Sequence, residues 1–380
     1  MLKPETFFQS LQAGGVQFFT GVPDSLLKDI CAYISDHTPP ERHIISANEG
    51  TAVALAMGYH LATGGLPLVY LQNSGLGNLV NPVLSLADPE IYSIPMLLMI
   101  GWRGEPGVKD EPQHKKQGRV TEALLRTLEI PCETIDAETR EAGAIVTRLA
   151  EAALKEQRPQ ALLVRKGTFE PYQLSATVPP RFEMNREEAI QCVIDQLSAE
   201  DLVVSTTGMT SRELFEYREA RGEGHERDFL TVGGMGHASQ IALGLALQQP
   251  ARQVFCLDGD GAALMHLGGW TTIGASGCGN FKQILINNGA HDSVGGQPTL
   301  GFAVDFQAMA RAAGYREVSQ ARSKSETVAG VQALRRATGP ALLEIRVNAG
   351  HRPDLGRPTI PPLENKKHLM AFLRRPPASG

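Results

Sequence analysis

The chain repeats one local pattern along most of its length: a short apolar, β-rich run followed by a stretch with helical character. The predicted strands fall into two sets, Val16–Thr20, Arg42–Ala47, Leu66–Gln72, Pro95–Ile100 and Ala161–Arg165, then Asp201–Thr206, Asp228–Val232, Gln253–Leu257, Lys282–Asn287 and Ala341–Val347. Apolar strands that alternate with helices are typical of parallel sheets covered by helices on both faces. The pattern therefore predicts an α/β fold with doubly wound parallel sheets.

The two halves of the chain also resemble each other at a fixed offset. A shift of 186 positions places identical residues on one another: Gly50 on Gly236, Ala56 on Ala242, Gly58 on Gly244, Leu61 on Leu247, Leu71 on Leu257 and Gly75 on Gly261. These matches keep their order and fall within the same predicted elements. We interpret them as two duplicated domains, residues 1–170 and 188–380, joined by a linker at 171–187 that is rich in Pro and turn residues.

Composition excludes several other classes of protein. The net charge is −5 and no basic block is present, which argues against a nucleic-acid groove. No apolar run approaches the roughly 18 residues needed to cross a membrane. The five cysteines are scattered, without a CxxC pair, and so indicate neither a disulfide framework nor a zinc site. Since the first residues do not have the pattern of a secretory signal, we expect a cytoplasmic protein.

Polar residues follow two apolar strands in the second half. The triplet Gly259-Asp260-Gly261 comes after one of them, and Asn287-Asn288 ends the next. Open α/β sheets bind ligands at the carboxyl ends of their strands. Carboxylate and amide oxygens suit Mg²⁺ or Ca²⁺, and a helix that begins with small residues presents free N–H groups to a diphosphate. The two motifs together predict a site for a metal ion and a diphosphate.

This combination resembles the thiamine diphosphate enzymes, whose metal motif is GDG followed at a similar spacing by NN. Two more segments are similar to that family: ANEGTA around Glu49 and GGMGH at 233–237. The resemblance covers nearly the whole chain. The absence of a middle domain, with the segments TGVPDSLLK, NNGAHDSVGGQPT and DLGRPTIPPLENKKHL, is similar to the branch that decarboxylates phosphonopyruvate or sulfopyruvate.

The resemblance implies thiamine diphosphate and Mg²⁺ as cofactors, bound by a pyrimidine-binding first domain and a diphosphate-binding second domain. It implies that Asp260, the side chain of Asn288 and the carbonyl of Ala290 hold the metal, with Asn287 as the alternative to Asn288. The Met235 side chain would wedge the cofactor into a bent shape, although core filling is the ordinary role of a methionine. The other cofactor contacts would come from Thr207, Met209, Gly233, Gly259, Gly261 and Ala262.

The resemblance also gives Glu49 a catalytic role, as the acid that exchanges a proton with the pyrimidine ring. Burial among Ala47, Ala52 and Val53 should disfavour the carboxylate form and keep that proton available. Without the resemblance, Glu49 would be an ordinary first-turn residue that stabilises a helix N-terminus. Because cofactor binding alone does not require this acid, Glu49 argues against a non-catalytic thiamine diphosphate-binding protein.

The substrate implied by the resemblance is a 2-oxo acid with an anionic tail. Phosphonopyruvate would give phosphonoacetaldehyde and CO₂ in phosphonate biosynthesis, and sulfopyruvate is the alternative. The loop GWRGEPGVKDEPQHKKQGR follows a strand and supplies candidate cations and donors, Arg103, Lys109, His114, Lys115 and Lys116. We favour His114 as a proton donor because histidine titrates near neutral pH. Asp24 and Ser25 are further candidates for contact with the substrate, whereas His237 and His291 are equally compatible with structural roles.

A nicotinamide-dependent oxidoreductase is the alternative of a different class. It rests on Gly234-x-Gly236-x-x-Ser239 after a strand and on Asp258 at the end of the next strand. Ser239 stands where that motif needs glycine or alanine, and the paired asparagines are left unexplained. The thiamine diphosphate resemblance further implies a dimer or a higher even oligomer, in which the pyrimidine half of one subunit faces the diphosphate half of another.

Overall fold

The computed structural model describes residues 1–175 and 180–376, which divide into two compact units. Residues 1–175 and Ser293–Gln297 form the first unit, and residues 180–292 and 298–376 form the second. Each contains a parallel six-stranded sheet with interleaved helices, so the α/β prediction is confirmed. Part of the predicted linker, residues 176–179, and the last residues of the predicted second domain, 377–380, lie outside the described residues.

The first unit alternates strands and helices in chain order. Its strands are β1 (Val16–Gly21), β2 (His43–Ile45), β3 (Leu66–Gln72), β4 (Met96–Gly101), β5 (Cys132–Ile135) and β6 (Pro159–Val164). Its helices are α1 (Pro4–Ala13), α2 (Lys28–His37), α3 (Glu49–Thr63), α4 (Leu76–Pro82), α5 (Pro112–Thr127) and α6 (Ala142–Glu156), with short turns at Asn73–Gly75 and Val83–Ala87.

The second unit follows the same alternation. The strands of its sheet are β7 (Leu202–Ser205), β8 (Asp228–Leu230), β9 (Val254–Gly259), β10 (Phe281–Asn287), β13 (Glu317–Ala321) and β14 (Ala341–Arg346). Two-residue strands, β11 (Ala290–His291) and β12 (Gln297–Pro298), follow β10, with a short turn at Asp292–Val294. Within this segment, Ser293–Gln297 belong to the first unit. The helices are α7 (Arg186–Ile194), α8 (Met209–Ala220), α9 (Ala238–Gln248), α10 (Asp260–Met265), α11 (Gly269–Ser276), α12 (Phe306–Ala313), α13 (Lys324–Arg336) and α14 (Pro362–Leu373). Within the described ranges, no helix has the length and apolarity to span a membrane.

The two large sheets have the same topology. The first runs β2-β1-β3-β4-β6-β5 and the second runs β8-β7-β9-β10-β14-β13. When the strands of each six-stranded sheet are numbered in chain order, both sheets have the order 2-1-3-4-6-5. All of their strand pairs are parallel, as expected when helical crossovers connect the strands. The structure therefore confirms the duplication that the fixed sequence offset predicted.

Each sheet packs a separate apolar core against each of its faces. Along β4, Leu97 and Met99 belong to one core, while Leu98 and Ile100 belong to the other. Strand β9 alternates in the same way between the two cores of the second unit. Since successive side chains of a strand point to opposite faces, both faces of these strands are committed to burial. Polar chemistry is therefore concentrated at the ends of the strands.

Two strands of the sheets, β5 and β13, were not predicted from the sequence. Their sequences are CETI and EVSQA, and both contain exposed or half-exposed positions. Each lies at the edge of its sheet, where one side of the strand has no strand neighbour. Helix α7 also begins at Arg186, within the predicted linker, because the Asn185 side chain caps it by accepting from Glu188 N at 2.9 Å.

The edge strand β8 is completed by a side chain rather than by another strand. Asn365 on α14 donates from Nδ2 to the carbonyl of Asp228 at 2.8 Å, and its Oδ1 accepts from the N–H of Leu230 at 3.1 Å. The amide thus takes the place of a neighbouring strand for one donor and one acceptor. Helix α14 thereby fixes β8, which leads directly into the glycine-rich segment 233–237.

Replacing Asn365 with alanine should destabilise the second unit by roughly 2–4 kcal/mol, because two buried backbone groups lose their partners. Urea unfolding of the full-length protein would measure the change. Lys366→Ala is the matched control, because this neighbour on the same helix is exposed and should change stability by less than about 0.5 kcal/mol. Equal effects of the two substitutions would contradict a role for the Asn365 amide at the sheet edge.

Candidate active site

Strands β9 and β10 are adjacent and parallel, and their carboxyl ends carry the motif predicted to bind the metal. Gly259, the last residue of β9, pairs with Ile286 near the end of β10. Asp260 then opens α10, and Asn287 closes β10. The side chains of Asp260, Asn287 and Asn288 are all buried. The structure therefore brings the predicted acidic and amide residues to one edge of the second sheet.

The Asp260 carboxylate is only 3% exposed. Burial raises its pKa to about 6, although the Thr299 hydroxyl and backbone N–H groups that face the carboxylate act in the opposite direction. Thr299 Oγ1 donates to Asp260 Oδ2. Burial penalises an uncompensated negative charge, so a cation beside this carboxylate would relieve the penalty. The environment of Asp260 thus fits a bound metal ion.

The two asparagines have different partners. Asn287 donates from Nδ2 to the Gly301 carbonyl at 2.6 Å and to Glu344 Oε1 at 2.8 Å. A Cβ atom on Gly301 would collide with both Asp260 Oδ2 and Asn287 Oδ1, so these two oxygens converge on the space beside Gly301. This arrangement keeps Asn287 as a candidate ligand, as the sequence analysis allowed.

Asn288 is oriented by groups that follow it in the chain. Its Nδ2 donates to Asp292 Oδ2 at 2.7 Å, and its Oδ1 accepts from the N–H of Ala290 at 3.1 Å. Its backbone N–H also bonds to the Asp260 carboxyl, which places it beside the predicted metal ligand. Among the described residues, no group of three or more His, Cys, Asp or Glu forms a metal site. A donor set of one carboxylate with amide and carbonyl oxygens remains, which suits Mg²⁺.

The segments predicted to contact the rest of the cofactor adjoin this edge. Thr207 Oγ1 accepts from the N–H of Gly233 at 2.9 Å and so joins two of them, while Met209 opens α8. Gly233 has a φ of 71°, a left-handed conformation that favours glycine. Met235 follows two glycines and is half-buried, rather than packed within the core.

Glycine also permits close packing at the start of α10. A Cβ atom on Gly261 would lie 3.0 Å from His291 Cε1. Gly259 precedes the helix in an extended conformation, and Ala262 is buried in its first turn. Burial lowers the pKa of His291 to about 4, so this ring is neutral at pH 7. His237 is exposed, and its ring centroid lies 4.4 Å from that of His266.

The nicotinamide-dependent alternative needs the Asp258 carboxylate to bind a ribose hydroxyl of the dinucleotide. Asp258 is only 1% exposed. Its Oδ2 accepts from Gln283 Nε2 at 3.0 Å, and burial raises its pKa to about 7. A carboxylate that is committed to the interior of the sheet is not available to a sugar hydroxyl. The geometry therefore argues against the dinucleotide interpretation.

Glu49 lies in the first unit, at the first position of α3. Asn48 caps this helix by accepting from Thr51 N at 2.9 Å, which fixes where the helix begins. The Glu49 side chain is buried, and its Oε2 accepts from Asn78 Nδ2 at 2.7 Å. Burial raises the pKa of Glu49, against the effect of the Asn78 hydrogen bond. As expected from the sequence, the environment favours the protonated acid more than water does.

Three residues predicted to contact the substrate come together in the first unit. Arg103 donates from Nη1 to Ser25 Oγ at 2.7 Å, and its charge acts on the buried Asp24 carboxyl. Gln72 Nε2 donates to Asp24 Oδ1 at 2.6 Å. Arg103 also forms a bidentate ion pair with Asp110, at 2.8 Å and 2.5 Å. The cluster therefore combines the Arg103 guanidinium with the Asp110 carboxylate that pairs with it.

His114, predicted in a loop, lies on α5, and the charges of Arg103 and Asp110 act on its ring. It is 8% exposed, its Nδ1 has no partner among the described residues, and burial with the nearby Arg103 charge lowers its pKa to about 4. It is therefore a neutral imidazole at pH 7, which goes against the expectation that it donates a proton by titrating near neutral pH. Its N–H can still donate a hydrogen bond without carrying a charge. Lys109, Lys115 and Lys116 are exposed.

Several residues around these sites were not singled out in the sequence. Asp110 lies in the loop that supplies the candidate cations, but a carboxylate there is no sequence signal for an anionic substrate. The others form hydrogen bonds that only the fold creates. The pairs are Gln72 with Asp24, Asn73 with the Arg103 carbonyl, Asn78 with Glu49, Thr299 with Asp260 and Asp292 with Asn288. The only sequence signal for them was their proximity to a motif or to a strand end.

Comparison with known proteins places both halves of the chain in one family. Residues 4–124 match the model of the thiamine pyrophosphate enzyme N-terminal TPP binding domain, and residues 206–345 match that of the C-terminal TPP binding domain. The chain is 36% identical to a phosphonopyruvate decarboxylase of Streptomyces viridochromogenes, over 96% of this chain and 93% of the relative.

Two other relatives extend the comparison. A phosphonopyruvate decarboxylase of Streptomyces hygroscopicus is 35% identical, over 100% of this chain and 96% of the relative. A sulfopyruvate decarboxylase of Methanosarcina acetivorans is 26% identical, over 85% of this chain and 86% of the relative. The match to the two Streptomyces proteins is thus both closer and more complete. The chain belongs to the phosphonopyruvate decarboxylase family of thiamine pyrophosphate enzymes and is a decarboxylase.

Proposed function

We propose that this chain decarboxylates 3-phosphonopyruvate to phosphonoacetaldehyde and CO₂, as a step of phosphonate biosynthesis. The observation that carries the proposal is its likeness, over nearly the full chain, to two phosphonopyruvate decarboxylases. The bond between the carboxylate carbon and C2 breaks, and its electron pair takes up a proton to form the C–H bond of the aldehyde. Thiamine diphosphate, when bound, supplies the electron sink for this cleavage.

We assign Mg²⁺ to the edge formed by β9 and β10. Asp260, Asn288 and the Ala290 carbonyl are the proposed ligands, with Asn287 as the alternative amide. The buried Asp260 carboxylate supports a metal at this edge, and the convergence of Asp260 Oδ2 with Asn287 Oδ1 near Gly301 supports the alternative amide. The residues proposed to contact the diphosphate and pyrimidine are Thr207, Met209, Gly233, Met235, Gly259, Gly261 and Ala262.

Glu49 is the proposed proton-exchanging acid for the pyrimidine ring. Burial raises its pKa, which favours the protonated acid, and Asn78 Nδ2 holds one carboxyl oxygen at 2.7 Å. Gly75 packs against this carboxyl. A Cβ atom at that position would lie within 2.6 Å of Glu49 Cδ. The position of the acid therefore depends on the absence of a side chain at Gly75.

Gly75→Ala should lower kcat by about 10- to 100-fold, because it displaces the acid that exchanges the proton. Steady-state kinetics, together with proton exchange at the reactive carbon of bound thiamine diphosphate, would measure the loss. Gly77→Ala, in the following turn, is the control because a Cβ atom there would meet nothing within 4 Å. If Gly75→Ala exchanged the proton at the wild-type rate, Glu49 would not be the acid.

The Arg103–Asp110 pair favours a phosphonate tail over a sulfonate tail. A guanidinium has five N–H donors, of which Asp110 and Ser25 use three, and the remaining two can bind an anion. A phosphonate oxygen that carries a proton can also donate to Asp110. A sulfonate has no such proton at neutral pH, so the Asp110 carboxylate repels it. We therefore propose that Arg103, Ser25 and Asp24 contact the substrate, with His114 as a neutral N–H donor and Lys109 and Lys115 as outer cations.

Product identification tests the proposed substrate directly. Purified protein with thiamine diphosphate and Mg²⁺ should convert phosphonopyruvate to phosphonoacetaldehyde, which phosphorus NMR would detect, with CO₂ released in equal amount. Sulfopyruvate, assayed in parallel at the same concentration, should give a kcat/KM at least about tenfold lower. A preference for sulfopyruvate would reject the proposed substrate while leaving the decarboxylase family intact.

The same assay tests Asp110. Asp110→Asn should lower the ratio of kcat/KM for phosphonopyruvate to that for sulfopyruvate by about 5- to 10-fold, because the charge that repels the sulfonate is removed. Asp136→Asn is the control, since Asp136 also pairs with an arginine, Arg165, in the first unit. An unchanged ratio in Asp110→Asn would place the determinant of tail selectivity elsewhere.

We also propose that the chain self-associates as a dimer or a higher even oligomer. Glu49 belongs to the first unit and Asp260 to the second. In the arrangement implied by the family resemblance, a pyrimidine-binding half and a diphosphate-binding half from different subunits hold one cofactor. A two-fold axis then creates two equivalent sites.

A further inference from the structure

We propose that Asp292, held in place by Arg186, is a positioning residue that fixes the orientation of the Asn288 amide at the metal site. The inference rests on the proposed function because it concerns the proposed Mg²⁺ site. Asp292 directly follows β11, four residues after Asn288. The family resemblance and the sequence motifs gave it no role.

Asp292 is surrounded by donors. Its Oδ2 accepts from Asn288 Nδ2 at 2.7 Å and from Arg186 Nη1 at 2.6 Å. The N–H of Gly350 lies 3.1 Å from each of its carboxylate oxygens. The side chain is 7% exposed. Asp292 is therefore a buried acceptor with three donors, one of which belongs to the proposed ligand.

This contact determines which end of the Asn288 amide faces the metal. An ionised carboxylate can only accept hydrogen bonds, so the NH₂ group and not the oxygen of Asn288 must face Asp292. The amide oxygen is then directed away from Asp292, to the side where the N–H of Ala290 lies. A metal ion requires that oxygen and is repelled by the NH₂ group. Without Asp292, the N–H of Ala290 would be the remaining hydrogen bond in the described part of the chain that opposes a rotation exchanging the two ends of the amide.

Arg186 donates to the same oxygen of Asp292 that accepts from Asn288. It is the first residue of α7, and its guanidinium also donates to Glu213 on α8, from Nε at 2.8 Å and from Nη2 at 2.9 Å. One positive charge thus lies between two carboxylates, and the group keeps a net negative charge beside the proposed cation site. The planar fork of arginine can hold both carboxylates at once, whereas the point charge of a lysine cannot.

The expected consequence concerns metal affinity rather than the fold. Replacing a residue that orients a metal ligand typically lowers the affinity for the metal 10- to 100-fold. In Asp292→Asn, the new amide can present its own NH₂ group to Asn288, which would turn the Asn288 oxygen away from the metal. The Mg²⁺ dissociation constant, measured by calorimetry at saturating thiamine diphosphate, should rise at least about tenfold. Excess Mg²⁺ should restore kcat, which loss of folded protein would not allow.

Asp305→Asn is the matched control. Asp305 is in the same unit and caps α12 by accepting from Ala308 N at 2.9 Å, a function that asparagine retains. The Mg²⁺ affinity of the Asp305→Asn protein should equal that of the wild-type protein. If Asp292→Asn does not fold, Arg186→Lys replaces it, and its Mg²⁺ affinity should fall in the same direction. Wild-type Mg²⁺ affinity in whichever of these variants folds would overturn the proposal.

Asp260→Ala separates this inference from the proposed function. If Asp260→Ala leaves Mg²⁺-dependent cofactor binding unchanged, the assigned metal site is wrong, and the role of Asp292 is rejected with it. If Asp260→Ala abolishes that binding while Asp292→Asn retains wild-type Mg²⁺ affinity, only the positioning role fails. Loss in Asp260→Ala with a tenfold or larger weakening in Asp292→Asn supports both.

Discussion

The parallel pairing of β9 with β10 is the constraint on which the proposed metal site of the second unit depends. Their register places the end of one strand beside the end of the other, so Asp260 and Asn287 emerge at the same edge. A shift of one residue would reverse the face to which each side chain points and would place polar groups in an apolar core. The cores on both faces of the sheet therefore hold the site in register.

The duplicated framework provides two equivalent strand edges and gives them different chemistry. At the offset of 186 residues, Glu49 of the first half corresponds to Met235 of the second, and Ser74 corresponds to Asp260. Positions that correspond in sequence thus carry an acid in one unit and a thioether in the other, or a hydroxyl and a carboxylate. The two units share one sheet topology, while the residues and local backbone at these strand edges differ.

The sequence predicted the central strands because they are apolar on both faces, as in the run QILIN of β10. It did not predict β5 or β13, whose edge positions tolerate charged and half-exposed residues such as Glu133 and Glu317. Asp260 could be singled out because it directly follows a strand, and Glu49 because its segment resembles that of the family. The partners Asp110 and Asp292 could not, because the folded loops create those contacts and no periodicity records them.

The contact between Gly75 and Glu49 restricts the conformations of the Glu49 side chain before any ligand binds. A glutamate in solvent samples many side-chain rotamers, and holding one of them costs up to about 2 kcal/mol of conformational entropy. Here the backbone of Gly75 and the amide of Asn78 confine the carboxyl during folding. The ordering is complete before any ligand arrives, so binding energy does not have to be spent on it. Glycine at position 75 thus helps to hold the Glu49 side chain in one rotamer, which preorganises the carboxyl for its proposed role.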